Sequence, residues 1–162
     1  HDFDLVHALS GSSYADIVAF TARRDGQLHE EALVASGRLE DGTLVNHLVS
    51  WLSPVKERLI AVSGESGTFF ANTLTGDLEL HRFGAFDYEW ESVSSLRGLG
   101  EGEATRFAYP KVEPLKMELQ HFARDVAGES ETSLVSLTEG LKAVEIAERV
   151  LDDGTAQEVG AR

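Results

Sequence analysis

EALVASGRLEDGTLVNHLVSWL, residues 31–52, reads as two strands around a tight turn. Glu40-Asp41-Gly42 supplies the turn, because Asp followed by Gly tolerates the positive φ that a short hairpin connection requires. In Thr43 to Leu52, Leu44, Asn46, Leu48 and Ser50 alternate with Val45, His47, Val49 and Trp51, the period of two that puts successive side chains on opposite faces of a sheet. Upstream, Ile17 to Ala22 forms a further strand that ends at the Asp25-Gly26 turn. Downstream, Arg58 to Ser63, a Gly64-Glu65-Ser66-Gly67 turn and Thr68 to Leu74 predict a second hairpin. Leu78 to Phe83 and Phe86 to Val93 continue the pattern. The middle of the chain is therefore a meander of about six or seven strands.

Helical spacing brackets this meander. Phe3, Val6 and Leu9, with Leu5 beside them, share a face, and Gly11 stands where a helix ends in a left-handed residue. Pro114 suits a first helical turn, and Leu115, Leu119, Phe122 and Val126 form a stripe ending near Gly128. Ser136 and Glu139 make a capping box that opens a helix with its stripe at Leu137, Leu141, Val144, Ala147 and Leu151, stopping at Gly154. The fold class that follows is α+β, a largely antiparallel open sheet with helices packed on one face. Apolar and aromatic residues stand on both faces of strands 45–52 and 59–70. A second copy is therefore expected on the other face, as a homo-dimer or homo-tetramer joined through the sheet.

Composition narrows the partners. Fourteen basic against 28 acidic side chains in 162 residues give a net charge of −14, so nucleic acid and membrane surfaces, both polyanionic, are not expected as partners. Cysteine is absent, which rules out disulfides, thiolate nucleophiles and Cys-ligated metals. No run approaches the roughly 18–20 apolar residues of a membrane helix, and the start carries no basic segment followed by an apolar run. The expected location is cytoplasmic.

The chain carries no complete catalytic motif. There is no nucleophile elbow, P-loop, HExxH or calcium loop, and no metal site is expected. The glycines of Leu96-Arg97-Gly98-Leu99-Gly100-Glu101-Gly102 match no dinucleotide fingerprint, and a surface loop explains them. The histidines at 1, 7, 29, 47, 81 and 121 are scattered, and apart from His1 they read as structural.

The exception comes from resemblance. His1-Asp2-Phe3-Asp4-Leu5-Val6-His7-Ala8-Leu9-Ser10-Gly11 resembles the segment that opens the second domain of the Gfo/Idh/MocA oxidoreductases. Leu39 to Thr43, Ser50 to Arg58, Val62 to Phe69, Glu113 to Phe122 and Gly140 to Ala147 are similar, in the same order, to that family's successive strands, turns and helices. The resemblance covers nearly the whole chain. It implies that residues 1–162 are the C-terminal substrate-binding and oligomerisation domain of a dehydrogenase acting on a hydroxyl or ketone of a sugar, cyclitol or sugar nucleotide. NAD or NADP would be held mainly by an N-terminal Rossmann domain absent from this chain, so the fragment alone is expected to be inactive. Neither that domain's glycine fingerprint nor its Glu-Lys-Pro segment is present, and no cofactor-binding residue is assigned here.

By the same resemblance His1 is the general acid/base, and the family's Asp four residues earlier would precede the first residue of this chain. Asp4 in the His-x-x-Asp pattern, Trp51, Lys56, Arg58 and Tyr109 are candidate substrate-binding residues. Arg106 and Lys111 join Lys56 and Arg58 as possible phosphate partners. The alternative from a different class is a free-standing, non-catalytic α+β domain that uses the sheet for self-association or for holding a carbohydrate.

Overall fold

The computed structural model describes residues 1–84, 100–129, 134–153 and 155–159. Helix α1 (Asp2–Ser10) is followed by β1 (Tyr14–Arg24), β2 (Ala32–Leu39), β3 (Leu44–Ser50), β4 (Leu59–Gly64), β5 (Gly67–Asn72), β6 (Asp77–Gly84) and β7 (Gly100–Arg106). Then come α2 (Pro114–Val126), α3 (Leu137–Asp153) and β8 (Thr155–Val159). The α+β class holds. The strands divide into two four-stranded sheets, β3-β2-β1-β8 and β4-β5-β6-β7, which belong to two compact units. The first unit is His1–Pro54 with His121–Arg162, and the second is Val55–Gln120. The strand expected at Phe86 to Val93 and the loop at 94–99 lie outside the described residues. Gly100 to Gly102 are the opening of β7 rather than part of a loop.

In the first unit β1, β2 and β3 are antiparallel neighbours, while β8 runs parallel to β1. Ile17, Ala19 and Thr21 of β1 are buried, and Val18 and Phe20 between them are exposed, as strand alternation requires. The core consists of Tyr14, Ile17, Ala19, Ala35, Leu39 and Val150, with Phe3, Val6 and Ile146 packed against it. Helices α1 and α3 therefore cover one face of this sheet. The opposite face carries a cross-strand row, Phe20 opposite Val34 and Val34 opposite Leu48, that is exposed.

Tyr14 breaks the alternation. It pairs with Leu39 while Asp16 pairs with Arg38, so Ala15 is one residue too many on β1. This bulge lets Tyr14 share the core face with Ile17 although three positions separate them. Gly37 on β2 makes room for it: a Cβ there would stand 2.8 Å from the Asp16 carbonyl oxygen and 3.1 Å from Tyr14 Cδ1.

The second unit is an antiparallel meander in which Leu80 is buried and Phe69 stacks on Phe107 at 6.2 Å between ring centroids. Its β4–β5 hairpin turns between Gly64 and Gly67 as the sequence predicts. The capping box of α3 also forms: Ser136 Oγ accepts from the Glu139 amide at 3.2 Å, and Glu139 Oε2 accepts from the Ser136 amide at 2.7 Å. Helix α2 departs from expectation, because Leu115, Leu119, Phe122 and Val126 remain exposed. Among the described residues nothing covers this stripe; on α3 the expected Leu137, Leu141, Val144 and Leu151 are exposed as well, and Ile146 and Val150 pack against the core instead.

Candidate active site

His1 is the N-cap of α1 and is exposed. Its carbonyl oxygen accepts the first helical hydrogen bond, from Leu5 at 2.9 Å, and its side chain makes no capping bond. Asp2 and Asp4 occupy the first turn, where negative charge complements the unpaired amides of a helix start. Asp4 follows the N-cap His1 by three positions, the spacing at which side chains are neighbours on one face of a helix. The far end is closed by Gly11 at φ 68°, whose amide donates to His7 O at 2.8 Å. His7 is structural, with Nδ1 bonded to Ser12 O at 3.0 Å.

The start of α1 rests on two ring systems. Phe3 stands edge-on to His47 at 4.8 Å and to Tyr14 at 5.8 Å. Tyr14 and His47 are themselves joined by a buried hydrogen bond, Oη to Nε2 at 2.6 Å. Burial, reinforced by the nearby Asp2 charge, pushes the Tyr14 hydroxyl up to about 12. Burial also holds the His47 imidazole below its ordinary value, against the opposing pull of Asp2. A neutral phenol facing a neutral imidazole makes Tyr14 the donor and His47 Nε2 the acceptor.

The depressed His47 value gives stability a pH dependence. Above pH 6.5, the ordinary imidazole value, folded and unfolded chains both hold His47 neutral and its contribution is complete. As pH falls below 6.5, the unfolded chain takes up a proton that the folded one resists, and stability is lost. The melting temperature is therefore expected to fall between about pH 7.5 and about pH 5.5, with His47→Gln flattening that slope. Equal slopes in both proteins would exclude His47 as the source.

The remaining predicted residues are distributed over both units. Trp51, just past β3 in the first unit, is 83% exposed, and its amide donates to Glu31 O at 2.8 Å. In the second unit Lys56 and Arg58 are exposed ahead of β4. Tyr109, Arg106 and Lys111 do come together, lining a cleft of about 320 Å³ with Asp77 and Phe107. There the Tyr109 hydroxyl donates to Gly76 O at 2.8 Å. Arg106 and Lys111 reach Asp77 Oδ1 at 2.8 and 3.2 Å. The Thr75 hydroxyl, Arg106 and Lys111 together hold the Asp77 carboxyl well below the usual carboxylate range. Glu79 lies 3.9 Å from Arg106, so two carboxylates balance the two cations.

Tyr14 and His47 were not singled out by the sequence reading. The signal available was the position of His47 between Val45 and Val49 on one strand face. The bulge that brings Tyr14 onto the same side of the sheet leaves no mark in the alternation.

The fit to a nicotinamide nucleotide can be judged at the joint from β7 into α2. Its residues, Phe107 to Glu113, contain no glycine, and the first amides of α2 are already satisfied: Glu113 accepts from Leu115 at 3.2 Å and from Lys116 at 2.6 Å. A carboxylate thus holds the place where a phosphate would bind, and this joint is no dinucleotide cradle. Among the described residues no group of three or more His, Asp or Glu is placed to hold a metal ion, and no helix is long and apolar enough to cross a membrane.

No family model and no curated protein matches the sequence. Solved structures do match the fold. UDP-N-acetylglucosamine 3-dehydrogenase GnnA from Acidithiobacillus ferrooxidans aligns at 18% identity and a TM-score of 0.75, over 95% of this chain and 45% of that one. The WlbA dehydrogenase from Bordetella pertussis, in complex with NADH and UDP-GlcNAcA, aligns at 19% identity and 0.60, over 94% and 40%. An NAD-binding protein from Listeria innocua aligns at 16% identity and 0.63, over 95% and 47%. The chain thus shares the fold of part of these proteins and spans less than half of their length.

Proposed function

We propose that this chain is the substrate-side domain of a Gfo/Idh/MocA-type oxidoreductase that interconverts a hydroxyl and a ketone on a sugar, cyclitol or sugar nucleotide, with His1 as general acid/base. The observation that carries this reading is the likeness over 94–95% of the chain to two dehydrogenases, joined to the position of His1 at the exposed start of α1. A neutral imidazole there can take the substrate's hydroxyl proton during oxidation and return it during reduction, because histidine exchanges protons near neutral pH. Asp4, on the same helix face, would orient the substrate. Trp51, exposed in the same unit, offers an indole face to a sugar ring. Lys56, Arg58 and Tyr109 are kept as proposed substrate contacts.

NAD or NADP is assigned to a further domain outside this chain, a reading supported by the chain spanning only 45% and 40% of the two dehydrogenases it matches, and no step is drawn through it. A sugar nucleotide is the substrate named in the GnnA structure, and it is the preferred class here. Self-association through the exposed Phe20–Val34–Leu48 row belongs to the same proposal, as a homo-dimer or homo-tetramer.

The test is an assay of the full-length enzyme that contains this chain, with NAD and NADP against free sugars, inositols and UDP-sugars, followed at the nicotinamide absorbance. Turnover of one of these classes is the expected result. A purified, folded protein inactive with all of them in both directions would overturn the reading, and a monomer at high micromolar concentration by sedimentation would overturn the oligomer.

A further inference from the structure

We propose that the buried Tyr14–His47 pair is the positioning device of the candidate active site, fixing the start of α1 and with it the direction in which His1 is presented. This rests on His1 as the acid/base of the proposed reaction, and it adds two residues that act through His1 without touching substrate.

The construction of the pair supports such a role. Tyr14 is on β1 and His47 on β3, which are not neighbours, so their hydrogen bond passes over β2. It passes there because β2 offers Gly37, where a Cβ would press on the Tyr14 ring at 3.1 Å, and because the bulge at Ala15 turns Tyr14 onto the core face. A bulge, a side-chain-free position and a buried polar bond thus converge on one contact, with Phe3 of α1 resting on both rings. Packing alone would be satisfied by two apolar rings. A hydrogen bond in a dry site adds direction, since each ring is held at one orientation or leaves a buried polar atom unpaired. Phe3 lies two residues from His1 in the first helical turn, so the orientation of the rings is passed to the helix start. Geometry of this kind matters to rate, because a displacement of about 1 Å at a reacting group costs on the order of 100-fold.

The experiment is a set of variants in the full-length enzyme. Tyr14→Phe keeps the ring and removes the donor; a kcat lowered roughly ten-fold, with substrate KM little changed, is expected. His47→Gln retains an acceptor and is expected to stay close to wild type, whereas His47→Leu should fall with Tyr14→Phe. The decisive comparison is Tyr14→Phe in a His1→Ala background, where no further loss of kcat is expected because the effect travels through His1. An equal fold-loss in both backgrounds would overturn the proposal and leave the pair as general scaffolding. Amide exchange of Leu5 to Ser10, measured without turnover, separates this inference from the catalytic one. Activity surviving His1→Ala would overturn the acid/base reading, while unchanged exchange in Tyr14→Phe would overturn the seat of α1.

Discussion

His1→Ala in the full-length enzyme is expected to lower kcat by about 10²- to 10⁴-fold, the range measured when a general acid/base is removed. The structure makes this a clean experiment. His1 caps α1 through its backbone carbonyl and contributes no side-chain capping bond, so truncation takes away the imidazole without removing a helix-stabilising contact. The melting temperature should stay close to wild type, which separates a chemical loss from unfolding. KM for the nicotinamide should also hold, because the proposed reading gives the His1 imidazole a role in proton transfer and none in holding that nucleotide. The pH profile carries a second signature: the limb of kcat/KM that reports the free enzyme's base should disappear with the imidazole. Turnover within a few-fold of wild type, with that limb intact, would remove the catalytic assignment.

Gly67→Ala is expected to destabilise the second unit by about 3 kcal/mol or more, adding backbone strain at positive φ to steric overlap. Gly67 sits at φ 150°, and a Cβ there would lie 2.2 Å from the His81 carbonyl oxygen and 2.9 Å from Arg82 Cα. Both obstacles are backbone, on the strand with which Gly67 pairs, so β5 and β6 would have to separate to admit a methyl group. Gly64, its partner across the hairpin turn, is the control. Nothing stands within 4 Å of a Cβ at that position, and Gly64→Ala should change stability by less than about 1 kcal/mol. Thermal melts of the two variants decide the matter. Equal midpoints would mean that the hairpin tolerates the overlap, and the steric argument would fall.

The features legible in the sequence are those whose chemistry is local. The turn at Asp41-Gly42, the left-handed Gly11 and the reciprocal bonds of Ser136 and Glu139 each depend on residues within a few positions of one another, and all appear where expected. The α+β class followed from the same periodicities. Long-range pairing was not legible. The split into two sheets depends on which strand meets which, and the alternation of Leu44 to Trp51 does not encode a partner. Thr155-Ala156-Gln157-Glu158-Val159 is too short and too mixed to announce β8, which exists because β1 offers it an edge. The stripe of α2 was recognised correctly as amphipathic, but its period does not say what covers it.

The candidate site divides along the same line. His1 and Asp4 follow from resemblance, and the structure places His1 at the N-cap of α1 and Asp4 in its first turn. Tyr14 and His47 could not be paired from spacing, since 33 residues, an intervening strand and a one-residue bulge separate them. Arg106 and Lys111 were singled out for their charge, and the structure shows that charge already answered by Asp77.

The parallel pairing of β8 with β1 sets a timetable for folding. Phe20 meets Thr155, so this edge of the first sheet cannot close until the residues of β8 have left the ribosome. The second unit is continuous in sequence from Val55 to Gln120 and can condense while later residues are still being made. The first unit, built from residues 1–54 and 121–162, must wait with one side of β1 unpaired. During that interval the unpaired side of β1 offers free backbone groups with which another nascent chain could pair.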